Sequence, residues 1–324
     1  MRCPNKNELP SPPAGKVGWP WTEDSPQLQD RMLDDSPWPR ISIVTPSFNQ
    51  GKFIEETIRS VLLQGYPDLE YIIIDGGSSD SSSEIIVKYE KWLTYWISEP
   101  DRGQSHALKK GFSKSTGDIL GWLNSDDIYR HNIFKQIGIA YRSNQGSIIA
   151  GKVLNFDNDN KQETIIEQHN ITLENMVKFW EHEYSWHQPG IFFPRYAYEK
   201  AGGLDESLRF YMDHDLICRL LQYCRVTYIE DIVACFRLHE TSKTCSIFDY
   251  MLEELSLVSK RYWQLIASID TVLANKRIGG MYARSFLDRL HRREFIPALR
   301  ILKSALKNSP QEFIFAFVNR LRQH

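Results

Sequence analysis

Short apolar runs alternate with segments of helical periodicity from Ile41 onward. The apolar runs are typical of buried strands and occupy residues 41–45, 70–75, 95–98 and 118–123. After the first run, apolar side chains recur at the spacing of one helix face, at Ile54, Ile58, Val61 and Leu62. Ser81 and Glu84 have the spacing of a capping box and predict the start of a second helix. Strands that alternate with helices predict a parallel α/β sheet, and ligands of such sheets bind beyond the carboxyl ends of the strands.

The pattern divides the chain into three parts. Residues 1–40 are rich in proline and hold three tryptophans, so we expect an arm without regular structure that packs onto the body. Residues 41–245 carry the α/β pattern, and within them 157–162 has the composition of a hairpin turn. Residues 246–324 are helical in period and predict a C-terminal helical extension.

Composition indicates an ordinary soluble globular protein, with 42% hydrophobic and 25% charged residues. The five cysteines are odd in number and include no CxxC pair, which argues against a zinc ribbon and a disulfide framework. No apolar run reaches the roughly 18 to 20 residues of a spanning helix, and the N-terminus lacks the apolar core of a signal peptide. We therefore expect a cytoplasmic protein.

Charge is distributed unevenly along the chain. The net charge is −2, but residues 257–324 hold 13 Lys and Arg against 4 Asp and Glu, a local net charge of +9 that leaves −11 on the remainder. Basic helices of this kind are typical of solvated surfaces. They also suit contact with an anionic membrane surface or another polyanion.

Polar clusters follow the strand-like runs and would converge on one edge of the sheet. The fourth run is followed by Asn124, Ser125, Asp126 and Asp127. The two carboxylates can hold Mg²⁺ or Mn²⁺, or the segment can be a solvated turn or a helix cap. Asp75 ends the second run and precedes two glycines. Its carboxylate can accept a hydrogen bond from a base or a ribose, or the segment can form a glycine turn that leads into a helix.

Two further candidates lie later in the chain. Asp213 and Asp215 begin a predicted helix, where one would cap the helix and the other would act as a general base. We favour Asp213 as the base because it comes first. His239, at the end of a strand-like run, suits a structural role or an oxygen-rich metal shell. The early strands lack a GxGxxG and the chain lacks a Walker motif, which disfavours Rossmann dinucleotide and P-loop sites.

Six motifs, in order, resemble those of the family 2 glycosyltransferases of the GT-A fold: ISIVTPSFNQGKFIEETIRSVLLQGYP, EYIIIDGGSSDSS, EPDRGQSHALKKGF, GDILGWLNSDDIY, GGLDESLRFYMDHDLICRL and FRLHETSKT. The resemblance covers roughly Ile41 to Thr244. It implies a GT-A type, Rossmann-like fold with a mixed, mainly parallel sheet flanked by helices.

The resemblance also implies roles for particular residues. Those implied to line the nucleotide site are Thr45, Pro46, Ser47, Glu56, Asp75, Asp101, Arg102, Gly103 and Ser125. Asp126 stands where the family has the second Asp of its Asp-x-Asp motif and would contact a divalent metal, Mg²⁺ or Mn²⁺. His239 matches the histidine that can join the metal, and Asp213 matches the catalytic base.

The chain departs from the family pattern at two positions. The first Asp of Asp-x-Asp is Asn124, a neutral ligand that should weaken cation binding. Lys109 stands where family members often carry Asn, and the sequence does not explain it.

The resemblance implies an inverting glycosyltransferase of polysaccharide biosynthesis with a nucleoside-diphosphate sugar donor, UDP-linked, and a glycan or lipid-linked acceptor. We expect no nucleic acid partner, and peripheral contact of the C-terminal helices with the inner face of the membrane. A non-catalytic nucleotide-sugar or glycan-binding protein with a weakened metal site is the alternative. A sugar nucleotidyltransferase ranks last, because TPSFNQGK offers a single glycine where a triphosphate-binding loop needs several.

Overall fold

A mixed β-sheet forms the centre of the fold. The computed structural model describes residues 1–144, 146–157, 163–239 and 248–321, and the strands in these ranges belong to one sheet. In chain order they are β1 (Ile41–Ser47), β2 (Leu69–Asp75), β3 (Tyr95–Ser98), β4 (Ile119–Trp122), β5 (Ile128–Tyr129), β6 (Ile148–Phe156), β7 (Glu163–Ile166), β8 (Ile191–Pro194) and β9 (Val226–Arg237). Their spatial order is β3-β2-β1-β4-β8-β6-β9-β5, with β7 paired to β6.

Helices connect most of the strands and make up the C-terminal part of the chain. They are α1 (Ile54–Leu62), α2 (Ser82–Tyr89), α3 (Gln104–Phe112), α4 (Ile133–Ser143), α5 (Leu173–Val177), α6 (Arg195–Lys200), α7 (Met212–Leu220), α8 (Phe248–Arg261), α9 (Thr271–His291), α10 (Phe295–Asn308) and α11 (Pro310–Leu321). None of the helices in the described ranges is long and apolar enough to cross a membrane.

The first four strands in spatial order are parallel, so their carboxyl ends meet at one edge. Ser47 lies opposite Asp75 in the register of β1 and β2, and Asp75 lies opposite Ser98 in that of β2 and β3. β8 instead runs antiparallel to β4, with Phe193 opposite Leu120. The predicted α/β class, with a mixed, mainly parallel sheet flanked by helices, is therefore confirmed, and the first four strands along the chain are parallel as their periodicity indicated.

The chain forms two compact units. The sheet unit comprises Met1–Ile171, Ser185–Ser207 and Arg219–Leu238, and its core packs α1 and α4 against the sheet through side chains such as Ile58, Phe134 and Phe192. The helical unit comprises Thr172–Tyr184, Leu208–Cys218 and His239–His324. Its own core includes Ile278, Tyr282 and Phe313, all at most 3% exposed.

The N-terminal arm packs within the sheet unit. Arg59 of α1 is 0% exposed, and its guanidinium donates to the carbonyl oxygens of Pro20 at 3.0 Å, Pro10 at 2.9 Å and Trp21 at 2.9 Å. The indole of Trp19 donates to the carbonyl of Tyr129 at 2.8 Å. Buried hydrogen bonds of a charged donor thus tie the irregular arm to α1 and to the strand region.

Two local predictions need correction. The capping box was wrong, because the side chain of Ser81 makes no capping hydrogen bond within the described chain. Asp80 accepts hydrogen bonds at the start of α2 instead. Its Oδ1 accepts from the backbone N–H of Ser82 at 3.0 Å and from the Ser82 hydroxyl at 2.6 Å. The predicted helix from about His106 to Thr116 begins instead at Gln104 and ends at Phe112. Most of the predicted hairpin turn, 158–162, lies outside the described residues.

Candidate active site

The end of β1 presents one hydroxyl that has no partner within the described chain. The Oγ of Ser47 is buried and makes no hydrogen bond to described residues. Thr45, two residues earlier on the same face, is fully buried, and its Oγ1 lies 3.1 Å from the hydroxyl of Tyr71. An unpaired buried hydroxyl costs free energy unless a ligand satisfies it. Ser47 is therefore the side chain of the predicted Thr45-Pro46-Ser47 segment that suits ligand binding.

Asp75 organises the turn that follows β2. Its side chain is fully buried and accepts three hydrogen bonds, from the Ser78 N–H at 2.9 Å, the Ser78 hydroxyl at 2.5 Å and the Ser98 hydroxyl at 2.6 Å. A carboxylate has about four lone-pair positions, so roughly one remains for a ligand. A Cβ on Gly76 would lie 2.8 Å from Oδ2 of Asp101. Glycine at this position therefore lets the Asp101 loop approach the Asp75 turn.

The loop from Asp101 to Gly103 is braced by a carboxylate from another part of the chain. Oδ1 of Asp101 accepts from the Gly103 N–H at 2.7 Å. Arg102 pairs with Glu206 at 2.5 Å, and Lys109 pairs with the second oxygen of Glu206 at 3.1 Å. Hydrogen bonds from Arg102 and Lys109 lower the pKa of Glu206. Lys109, which the sequence left unexplained, thus takes part in an ion-pair network beside the predicted nucleotide loop.

Asn124 is a structural bridge at the end of β4. Its Oδ1 accepts from Gln104 at 2.8 Å, and its Nδ2 donates to Oδ2 of Asp127 at 3.4 Å. Asp127 is fully buried, and burial, followed by the charge of Asp126, raises its pKa well above the usual range. Ser125 is 4% exposed, whereas Asp126 is half-buried. Of the two adjacent carboxylates, Asp127 is therefore structural.

Arg237, at the end of β9, holds the Asp126 loop in place. It is 3% exposed; its Nε donates to the carbonyl of Asp126 at 2.9 Å and its backbone N–H to Oδ1 of Asp127 at 3.0 Å. Its Nη2 pairs with Glu56 at 2.9 Å. The guanidinium lies 4.9 Å from the ring centroid of Phe53 and 4.6 Å from that of Phe156. The motif FRLH contained this residue, but sequence reasoning singled out only His239.

The Asp126 loop has few side chains of its own that could hold a cation. Among the residues that the structure describes, no three His, Cys, Asp or Glu side chains come together as a metal cluster. The amide of Asn124 is bonded to Gln104 and Asp127, and Asp127 is buried. Mg²⁺ commonly binds to one or two carboxylates plus substrate phosphates. Asp126 is the carboxylate of this loop that is not fully buried.

Asp213 and Asp215 have different surroundings in the helical unit. Asp215 is 1% exposed, and its Oδ1 accepts from the Tyr262 hydroxyl at 2.8 Å and from Arg261 at 3.1 Å. Asp213 is half-buried, and its Oδ1 accepts from the backbone N–H of His214 at 2.7 Å. Asp215 is thus a buried structural carboxylate. His239 belongs to the same unit and is half-buried.

Comparison with known proteins gives the family of the chain. Residues 42–202 match the family model described as Glycosyl transferase family 2. The protein is a glycosyltransferase, and it belongs to family 2.

Relatives in bacteria are also named as glycosyltransferases. An uncharacterized glycosyltransferase of Rickettsia typhi is 26% identical over 226 residues, which cover 68% of this chain and 71% of that protein. An uncharacterized glycosyltransferase of Mycobacterium tuberculosis is 39% identical over 90 residues, 28% of this chain and 34% of the relative. The crystal structure of Staphylococcus aureus TarS 1–349 in complex with UDP-GlcNAc superposes with a TM-score of 0.61 at 15% identity, covering 87% of this chain and 85% of that one. The predicted family and fold are therefore confirmed.

Proposed function

We propose that this glycosyltransferase moves a sugar from a UDP-linked donor to a hydroxyl group of a glycan or lipid-linked acceptor, with inversion. The observation that carries the proposal is the juxtaposition of Ser47, Asp75 and the Asp101 loop at one sheet edge, next to the end of β4 with Asp126. A structural neighbour with the same fold, TarS, was solved with UDP-GlcNAc, which supports a nucleotide-sugar donor of this kind.

The nucleotide would lie along the ends of β1, β2 and β3. Ser47 supplies a buried hydroxyl without a partner among described residues, and Asp75 has about one lone pair left to accept from an N–H of the uracil base. The backbone of Thr45 and Pro46 would form the floor of this site, and the loop from Asp101 to Gly103 would form its wall. Glu56 contributes through its ion pair with Arg237, which holds the Asp126 loop.

A divalent cation, Mg²⁺ or Mn²⁺, fits Asp126 together with the diphosphate of the donor, and His239 would complete its shell. Such a cation supplies positive charge that stabilises the departing diphosphate. Asn124 cannot add a second carboxylate, and its amide is engaged by Gln104 and Asp127. The cation should therefore bind weakly without nucleotide and more tightly with it.

Asp213 would be the general base. It accepts the proton of the acceptor hydroxyl while that oxygen forms a bond to the anomeric carbon. The bond from the anomeric carbon to the diphosphate oxygen breaks on the opposite face, so an α-linked donor gives a β-linked product. Unlike a retaining glycosidase, the reaction needs no second, nucleophilic carboxylate.

A transfer assay with UDP-sugars, with and without Mn²⁺, tests the function. Loss of a general base typically costs about 10²- to 10⁴-fold in rate, so Asp213→Asn should lower turnover by that factor and leave UDP binding unchanged. Asp288→Asn, an exposed carboxylate of α9, is the matched control. Unchanged turnover in Asp213→Asn removes Asp213 as the base. Nucleotide binding without turnover of any donor would favour the alternative, a non-catalytic binding protein. Asn124 in place of the first Asp of Asp-x-Asp is the feature that motivates this alternative.

We further propose that α10 and α11 contact an anionic membrane surface on the cytoplasmic side, where a lipid-linked acceptor would lie. Large apolar side chains are at least 47% exposed on these helices, at Phe295, Ile296, Leu299, Leu306, Ile314 and Phe315. Exposed basic side chains accompany them, at Arg292, Arg293, Arg300, Lys303 and Lys307. Apolar groups flanked by basic ones are typical of helices that lie in the membrane interface.

Co-sedimentation with vesicles tests this contact. The protein should pellet with vesicles containing phosphatidylserine and not with phosphatidylcholine alone, and the double variant Phe295→Ser/Leu299→Ser should stay in the supernatant. Leu257→Ser, an exposed apolar residue of α8, is the control and should pellet like the parent protein. No binding of the parent protein to anionic vesicles would refute the membrane contact.

A further inference from the structure

The segment that leads into β8 lies at the same sheet edge as Asp126. Because β8 is antiparallel to β4, the residues just before Ile191 lie at the carboxyl end of β4. The Nε2 of Gln188 donates to the carbonyl of Trp122 at 2.9 Å, two residues before Asn124. The Oε1 of the same side chain is buried and has no hydrogen-bond partner in the described part of the chain.

His187 packs against β9. Its ring packs edge-on against Phe236, with ring centroids 4.5 Å apart and an interplanar angle of 86°. Phe236 directly precedes Arg237, which bonds the carbonyl of Asp126. The Nδ1 of His187 is buried, again without a partner among described residues. Burial lowers the pKa of His187 to about 4, so the imidazole is neutral at physiological pH.

Two polar atoms without partners in the described part of the chain therefore lie on adjacent residues of the segment that leads from the end of β4 into β8. An unpaired buried polar group costs free energy, so both sites favour a ligand that can hydrogen-bond. The acceptor oxygen of Gln188 would repel phosphate oxygens, which are also acceptors. Carbohydrate hydroxyls can both donate and accept, and they match the amide oxygen and the neutral imidazole nitrogen.

The strand order assigns these two residues to one end of the donor. Along the sheet the order is β3, β2, β1, β4 and β8. The proposed contacts of the base lie at β2 and β3, and the Asp126 loop follows β4. A nucleotide sugar is extended, with its base at one end, the diphosphate in the middle and the sugar at the other end. The next position along this edge, beyond β4, is occupied by His187 and Gln188 at the start of β8.

We propose that His187 and Gln188 bind hydroxyl groups of the sugar carried by the donor and thereby select which sugar is transferred. The inference rests on the proposed UDP-sugar donor. It assigns sugar specificity to a segment outside the six motifs that carry the family resemblance.

Titration calorimetry without acceptor tests the assignment, with UDP, UDP-glucose, UDP-galactose and UDP-GlcNAc as probes. Gln188→Met and His187→Leu should each lower affinity for the best UDP-sugar about tenfold, the effect of one hydrogen bond, and leave UDP affinity unchanged. His187→Asn, whose amide can replace Nδ1, should restore most of the lost affinity. Gln136→Met on α4 is the matched control and should bind all four probes like the parent protein.

The outcomes separate the inference from the function on which it rests. Equal losses of affinity for UDP and UDP-sugars, or unchanged affinities, would overturn the sugar assignment while leaving a UDP-sugar enzyme. If the parent protein binds neither UDP nor any UDP-sugar, both the sugar assignment and the proposed function are wrong. Thermal unfolding of each variant shows whether it is folded, and if His187→Leu is not, His187→Asn and Gln188→Met still decide the question.

Discussion

Arg237 donates a hydrogen bond from Nε to the carbonyl oxygen of Asp126 at 2.9 Å, across 111 residues of chain. The same side chain pairs with Glu56 on α1. The conformation of the carboxylate loop at the end of β4 therefore depends on the last residue of β9. This bond links a strand near the end of the sheet unit to the residue proposed to hold the cation.

Replacing Arg237 with Lys should weaken both stability and cation use. Lysine keeps the charge but lacks the planar fork that reaches Asp126 and Glu56 together. Breaking a buried ion pair typically costs about 3–5 kcal/mol, so we expect Arg237→Lys to lower the free energy of unfolding by a sizeable part of that. We also expect a higher Mn²⁺ concentration for half-maximal transfer. Urea unfolding and Mn²⁺ titrations measure the two effects, with exposed Arg225→Lys as the control. Wild-type values in both assays would show that Arg237 does not position the loop.

Restoring an acidic residue at Asn124 should destabilise the protein when no cation is present. Asn124→Asp replaces the donor that faces Asp127 with an acceptor and places a third carboxylate beside Asp126. Loss of one buried hydrogen bond typically costs about 1–3 kcal/mol, so the melting temperature should fall in EDTA. Mn²⁺ with UDP should raise the melting temperature of the variant more than that of the parent protein. Asn144→Asp, at an exposed position, controls for the added charge. An unchanged melting temperature in EDTA would contradict the bridging role of Asn124.

Removing the Arg59 side chain should detach the N-terminal arm. Arg59→Met keeps much of the volume but leaves the carbonyls of Pro10, Pro20 and Trp21 without their donor. We expect the free energy of unfolding to fall by about 3–5 kcal/mol, since several buried acceptors lose a charged partner at once. Arg31→Met, an exposed position in the arm, should have little effect. Urea unfolding gives the size of the change, and faster trypsin cleavage within residues 1–40 reports release of the arm. Equal cleavage rates would show that Arg59 is not what holds the arm.

His214 should make stability fall at mildly acidic pH. It is fully buried, its Nε2 lies 3.0 Å from the carbonyl oxygen of Met176, and desolvation lowers its pKa to about 4. Between pH 4 and 6.5 the unfolded chain binds the proton that the folded chain excludes, so unfolding becomes easier as pH falls. The contribution of neutral His214 to the free energy of unfolding is complete above about pH 6.5. It should fall by about 2 kcal/mol when the pH is lowered to 4.5.

The variant His214→Gln isolates this contribution. Glutamine can keep the hydrogen bond to Met176 but does not titrate in this range. Urea unfolding at pH 7 and pH 4.5 should show a smaller loss of stability in the variant than in the parent protein. Identical losses in the two proteins would mean that His214 does not carry the effect.

Much of the sheet edge could be predicted from the sequence. Apolar runs placed β1, β2, β3 and β4 to within a few residues, because strand periodicity is a local property of the chain. The polar residues after these runs had to meet at one edge, since the strands are parallel. The cap of α2 was missed because Asp80, one residue before the predicted Ser81, accepts the hydrogen bonds instead.

The sequence by itself determined which residues stand at the strand ends, and it identified the family through the order of its motifs. Only the tertiary structure decided what those residues touch. Glu56 faces Arg237, Lys109 faces Glu206, and Asn124 joins Gln104 to Asp127. Most of these partners lie far apart along the chain, and a side chain's hydrogen bond depends on where the fold places its partner, which no local pattern records. For the same reason no local pattern predicts the contacts of Arg237, His187 and Gln188, which depend on where the sheet places β8, β9 and the loop after β4.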